Sequence, residues 1–250
     1  SELIGREHYL GEFFPDRAKE PVLCDVDPEF MYDPAVPERM HRALSSDVRI
    51  VFMFRNPADR AYSQYLMSMR RGFEELSFEE ALKAEPGRLA QGDPFKRSHF
   101  SYQDRGLYSV QIERFLEYFP PESMLFVLFE DFVRDRGRAL SEICAFAGLD
   151  PGLLKEPAQA VYNKGGEPRL KILSRLRGQR HPVKDMLKPF IPPGLRWKMY
   201  DLLDKMNLGS KKPPGMSLET RSRLMEVYRD EIKRLEAVIG RDLSPWLEKK

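Results

Sequence analysis

The sequence predicts a three-layer α/β fold, with a central parallel sheet, helices on both faces and a helical C-terminal region. Two observations carry that expectation. Three short, apolar, β-prone runs at residues 21–26, 48–54 and 124–130 alternate with long stretches whose apolar residues recur at helical spacing, as a doubly wound sheet requires. One of those runs also passes straight into the start of a helix, the junction at which such folds place their ligands.

The first strand candidate, residues 21–26, brings Asp25 to its carboxyl end, the edge where α/β sheets hold their chemistry. The second is Val48-Arg49-Ile50-Val51-Phe52-Met53-Phe54, followed at once by Arg55-Asn56-Pro57. Asn56 is a good N-cap and Pro57 suits the first helical position. A strand leading into a helix N-terminus is expected to leave free backbone N–H groups and a partial positive charge, which suit phosphate. Arg55 stands at that mouth with a bidentate fork to offer. Ser63, eight positions on, adds a hydroxyl from the second helical turn.

Further along, Gly106-Leu107-Tyr108 opens a helical pattern with Ile112, Phe115, Leu116 and Phe119 on one face, closed by Pro120-Pro121. The third strand candidate follows, then Glu130-Asp131-Phe132 and a helix ending near Phe146-Ala147-Gly148-Leu149. Near the C-terminus Leu224, Tyr228, Ile232, Leu235 and Ile239 recur at helical spacing, and Gly240 supplies a stop. Taken alone, these stripes are core positions.

The Arg55-to-Ser63 segment resembles the 3′-phosphate-binding motif of sulfotransferases that use 3′-phosphoadenosine 5′-phosphosulfate (PAPS). The intervening Asn-Pro and Arg-Ala-Tyr are similar to the carbohydrate branch, including the heparan sulfate enzymes and their bacterial relatives. In that family an Arg at a strand end and a Ser eight residues later grip the nucleotide's 3′-phosphate, so the resemblance implies that role for Arg55 and Ser63. The Gly-x-Tyr helix, the strand with an acidic end and the closing Ile239-Gly240-Arg241-Asp242-Leu243-Ser244-Pro245-Trp246 occur in the family's order across residues 9–247. The implied fold is P-loop-NTPase-like, in a single sulfotransferase-like domain over residues 1–250.

Such enzymes open with a strand and a Gly/Lys/Thr-rich loop for the 5′-phosphosulfate, followed by a segment whose Glu is the general base of the heparan sulfate branch. The chain opens Ser1-Glu2-Leu3-Ile4-Gly5-Arg6, without that loop, and Tyr9 to Pro15 matches a later Tyr-plus-Phe-Pro stretch. The domain is therefore expected to be incomplete at its N-terminus, with its principal base upstream. Asp25 aligns with the Glu of a Glu-Lys-Thr-Pro-like motif, here Asp25-Val26-Asp27-Pro28, whose Lys is Val26. It is the catalytic candidate within the chain, against the plainer reading that it caps a turn.

Composition suits an enzyme. The chain of 250 residues is long enough to bury one large core, and its 42% apolar and 32% charged residues fit a soluble globular protein. No run approaches the roughly 18 apolar residues of a membrane span, and no secretory signal is visible. Cys24 and Cys144 read as core residues rather than a disulfide framework, which makes a cytoplasmic setting the simplest expectation. His8, His41, His99 and His181 lack metal-ligand spacing.

A net charge of +2 hides an asymmetry: residues 164–212 carry thirteen Lys/Arg against four acids, +9, which leaves −7 for the remainder. Such a block suggests an anionic partner. Three readings compete: a surface that covers nucleotide and receives an acidic sugar polymer, a face for peripheral contact with an anionic membrane, or a solvated helical face. Nucleic acid fits less well, since no familiar module appears. Inside the block, Asn163-Lys164-Gly165-Gly166 stands where the family places a Lys-Gly loop over the 3′-phosphate. A glycine pair lets the backbone approach an anion and Lys supplies a compact charge. Lys164 and Gly165 are thus nucleotide-binding candidates, with Arg169 assisting.

What the resemblance implies is sulfuryl transfer from PAPS to a hydroxyl or amine, on a carbohydrate by preference, leaving adenosine 3′,5′-bisphosphate. The alternatives are a non-catalytic protein of the same fold that binds nucleotide or anionic glycan, and a nucleotide kinase.

Overall fold

The computed structural model describes residues 6–16, 22–44, 48–154 and 215–248. The chain divides into two compact units: Ser1–Arg55 with Tyr108–Gln159 and Glu231–Leu243, and Asn56–Leu107 with Ala160–Asp230 and Ser244–Lys250.

The first unit is built on a parallel pair of strands, β1 (Ile50–Phe54) and β2 (Met124–Leu128), in register from Ile50 opposite Met124 to Phe54 opposite Leu128. Parallel partners need a long crossover, which is why some seventy residues separate them in the chain. Strand alternation sends Phe52 and Phe54 inward, whereas Val51 and Met53 on the other face stay 40% and 43% exposed. The inward face meets α6 (Tyr108–Leu116), whose Tyr108, Ile112 and Phe115 fall at i, i+4 and i+7 and are all buried. Phe115 meets Phe52 edge-on at 5.0 Å, and Tyr108 tilts against Phe54 at 5.1 Å. Aromatic pairs in such geometries contribute about 0.5–1.5 kcal/mol beyond their burial. The same unit holds α1 (Arg6–Phe13), α2 (Val36–Ala43), α7 (Phe129–Arg134) and α8 (Arg136–Phe146).

The second unit contains α3 (Pro57–Arg70), α4 (Phe78–Leu89) and α5 (Pro94–Phe100), together with the terminal α10 (Ser244–Leu247). Its helix starts are well defined. Ser77 and Glu80 form a reciprocal capping box on α4, and Asp93 caps α5 ahead of Pro94. Pro86 lies inside α4 and has no N–H for the Leu82 carbonyl. The Gln103 side-chain amide fills that vacancy, donating to the Leu82 carbonyl at 3.3 Å.

The long α9 (Leu218–Ile239) supplies residues to both units. Leu224 and Tyr228 are buried in the second, and Ile232, Leu235 and Ile239 in the first. Gly240, at φ 63°, ends the helix, a conformation glycine adopts without a Cβ penalty.

Several expectations are corrected. Residues 22–27 form no strand. Val22, Leu23 and Val26 are exposed there, and Asp27 accepts from the Glu29 N–H at 2.8 Å in a tight turn at Pro28. An apolar run becomes a strand only where a neighbour pairs with it, and β1 pairs with β2 instead. Cys24 is exposed and Cys144 half-buried, so neither is a core residue. The second strand begins at Ile50 rather than residue 48. The third ends at Leu128, because Phe129 already opens α7, where Glu130 and Asp131 suit the positive end of a helix. The expected parallel sheet is represented among the described residues by the two strands β1 and β2, and helices predominate around it.

Candidate active site

The junction between β1 and α3 is where the sequence places an anion site. Asn56 is the N-cap of α3, as its sequence context predicts, and its Oδ1 accepts from Ala58 N–H at 3.0 Å and Asp59 N–H at 3.3 Å. Its Nδ2 donates to the Trp246 carbonyl at 3.2 Å, and its own carbonyl accepts the Arg60 N–H at 2.9 Å. Pro57 lacks an N–H, and the N–H groups of Ala58, Asp59 and Arg60 in the first turn of α3 are all taken. The expectation of free backbone N–H groups at this helix start is therefore corrected: Asn56 consumes them.

Arg55 closes the first segment of the first unit. Its guanidinium carbon lies 5.0 Å from the centroid of the Phe129 ring, and its carbonyl accepts the Tyr108 hydroxyl at 3.1 Å. The sheet register accounts for this placement. Phe54 is opposite Leu128, so Arg55 and Phe129 are the next residues on either side. Ser63 lies in the second turn of α3, within the second unit, with its side chain exposed. Neighbouring positions on that helix are occupied: Arg60 donates to the Gln64 side chain at 2.7 Å and to the Tyr102 carbonyl.

Asp25 is an exposed residue of an irregular segment rather than the end of a strand. Lys164, Gly165 and Arg169, with the rest of the basic block, lie outside the described residues. Tyr108 and Phe129 are the neighbours of Arg55 that reasoning from sequence missed. Tyr108 was visible only as the end of Gly106-Leu107-Tyr108, and the pairing of β1 with β2 is what brings Phe129 in.

Electrostatics elsewhere in the units are structural. Glu231 accepts from both the N–H and hydroxyl of Ser109 at 2.6 and 2.8 Å, closing the start of α6. Burial pushes its carboxyl above the usual range, with the Ser109 bonds opposing. Among the described residues no cluster of His, Cys, Asp and Glu could hold a metal ion, and no helix is long and apolar enough to cross a membrane.

Comparison with known proteins decides the family. The family model described as "Sulfotransferase domain" matches residues 35–165, more than half of the chain. The chain belongs to the sulfotransferase family. This sulfotransferase domain is 26% identical over 174 residues to human heparan sulfate glucosamine 3-O-sulfotransferase 6, covering 64% of the chain and 47% of the relative. It is also 26% identical over 255 residues to bovine bifunctional heparan sulfate N-deacetylase/N-sulfotransferase 2, covering 97% of the chain and 25% of that protein. Among solved structures, a sulfotransferase from Alicyclobacillus acidocaldarius superposes with a TM-score of 0.60 at 26% identity, covering 88% of this chain and 65% of that one. The chain thus spans about half the length, or less, of the curated relatives it matches.

Proposed function

We propose that this sulfotransferase domain transfers a sulfuryl group from PAPS to a hydroxyl or amine on a carbohydrate, releasing adenosine 3′,5′-bisphosphate. The observation that carries the reading is Arg55, which directly follows β1 and whose guanidinium lies over the Phe129 ring. The family resemblance assigns the 3′-phosphate to the Arg55 fork and the Ser63 hydroxyl. The heparan sulfate relatives support a glycan as acceptor.

In the reaction the acceptor oxygen or nitrogen attacks sulfur as the bond from sulfur to the phosphate oxygen breaks. The acceptor's proton passes to a base, and the electron pair leaves with adenosine 3′,5′-bisphosphate. Arg55 and Ser63 contribute by holding the far phosphate so that the sulfuryl group is presented in line. Lys164, Gly165 and Arg169 complete the nucleotide contacts in this proposal. Asp25 is the carboxylate it offers as base, tested by Asp25→Asn: unchanged turnover would return Asp25 to a turn residue.

Calorimetry with adenosine 3′,5′-bisphosphate and adenosine 5′-monophosphate tests the reading. The bisphosphate should bind and raise the Tm, the monophosphate far less. A charge-assisted contact is worth about 1.5–3 kcal/mol, so Arg55→Ala should weaken bisphosphate binding by roughly one to two decades. Equal affinity for the two nucleotides would sink the assignment. Transfer of label from [35S]PAPS to a heparan-type acceptor tests turnover, and binding without transfer would favour a non-catalytic role.

A further inference from the structure

We propose that Tyr108 and Phe129 are positioning residues that aim Arg55 at the 3′-phosphate, an inference that rests on the reading of Arg55 given above. An arginine side chain carries about 2 kcal/mol of rotamer entropy, so a fork that must meet one phosphate gains from being held beforehand. The first unit holds Arg55 at two points. At the backbone, the Tyr108 hydroxyl donates to the Arg55 carbonyl at 3.1 Å. Tyr108 is 2% exposed and packs on Phe54, so its hydroxyl is itself fixed.

At the side chain, the Phe129 ring lies 5.0 Å from the guanidinium carbon, within cation–π range. A ring that engages the face of a guanidinium leaves the N–H donors, which lie in the ion's own plane, open to an anion at its edge. Both holds come from regular structure. Tyr108 opens α6, Phe129 opens α7, and the register of β1 with β2 sets Phe129 beside Arg55. The two side chains therefore make a preformed bracket, the second layer of support that an accurate site requires.

The test compares nucleotide discrimination, meaning the ratio of affinities for adenosine 3′,5′-bisphosphate and adenosine 5′-monophosphate, in the parent chain, Arg55→Ala, Tyr108→Phe, Phe129→Leu and Phe129→Tyr. A melting curve is recorded for each. Phe129→Leu should cut discrimination about three- to tenfold, the range of a partly exposed cation–π contact. Tyr108→Phe should reduce it in the same direction, and Phe129→Tyr, which keeps the ring, should restore it. A merely structural role would lower Tm and weaken both nucleotides alike, leaving the ratio intact. That result in both Phe129→Leu and Tyr108→Phe, with Arg55→Ala still abolishing discrimination, would overturn the bracket and leave the phosphate reading standing. No discrimination in the parent would remove the phosphate reading, and the bracket with it. A ligand-free measurement is also decisive. The Arg55 Nε–H resonance should be shifted upfield by the ring and return in Phe129→Leu, and an unshifted resonance in the parent would overturn the stacking.

Discussion

Glu74 and Glu85 are both sealed inside the second unit, 3% and 2% exposed, yet their acidities move in opposite directions. Burial alone pushes each carboxyl up. At Glu74 it is outweighed by the paired Arg88 bonds, at 2.5 and 3.0 Å, with the Leu76 N–H and the Tyr102 hydroxyl, so the group stays below the usual range. At Glu85 burial prevails over the N–H groups of Gln103 and Asp104, at 2.8–2.9 Å, and the charge of Arg60. The stability Glu74 contributes is present above the unfolded carboxylate value of about 4.3 and is lost as pH falls through its lower folded value. Glu85 behaves inversely: its contribution is complete below about 4.3 and lost as pH rises through its raised folded value. Two outcomes are expected. In melting curves from acid to neutral pH, Glu85→Gln should gain on the parent as pH rises, since the variant has no charge to bury. A constant difference across that range would show Glu85 titrating normally. Arg88→Ala strands a buried carboxylate and should cost about 3–5 kcal/mol in denaturant unfolding, whereas a loss below 1 kcal/mol, the range of exposed pairs, would place Glu74 in contact with solvent.

Elements with strong periodicity were legible, and those whose meaning depends on a distant partner were not. The stripe at Leu224, Tyr228, Ile232, Leu235 and Ile239 is buried throughout, because five apolar residues at helical spacing have one face to hide. The cores of β1 and β2 were legible for the same reason. Residues 22–27 defeated the reading, since composition does not say whether a pairing edge is at hand. The Asn56 cap was legible, but its corollary was missed: a side chain that caps a helix uses the N–H groups an anion would need. Gly106 is the clearest illegible case. A Cβ there would lie 2.6 Å from the Tyr228 hydroxyl oxygen and 2.8 Å from its ring. That ring is wholly buried and its hydroxyl donates to the Gln103 carbonyl at 2.9 Å, so it has nowhere to retreat. The Gly-x-Tyr pattern marks Gly106, but nothing in residues 103–108 announces that Tyr228 is what excludes a Cβ there. Gly106→Ala should therefore cost about 1–3 kcal/mol through overpacking, or roughly 2–10 °C in Tm at this chain length. The double variant with Tyr228→Phe, which frees the nearest atom, should recover part of the loss. No recovery would move the strain to the backbone of the turn.

At the scale of the whole molecule the question is charge rather than packing. The +9 of residues 164–212 against −7 elsewhere concentrates positive charge in one stretch of the sequence, and such a concentration attracts polyanions. The heparan sulfate relatives make an acidic glycan the partner to try. Retention on a heparin matrix should weaken as salt rises, because at about 0.15 M ionic strength exposed charges are screened beyond some 8 Å. Reversing Lys184, Lys188 and Lys198 together removes six units of charge from the block and should abolish retention. Discrimination between adenosine 3′,5′-bisphosphate and the monophosphate should persist in that variant, because Arg55 and Phe129 lie outside the block. Unchanged retention would make the block an ordinary solvated surface. Transfer of the parent chain to anionic vesicles with a blue shift of Trp197 fluorescence, in place of heparin binding, would assign it to a membrane. Loss of nucleotide discrimination along with retention would mean instead that the block, Lys164 among it, forms part of the nucleotide site.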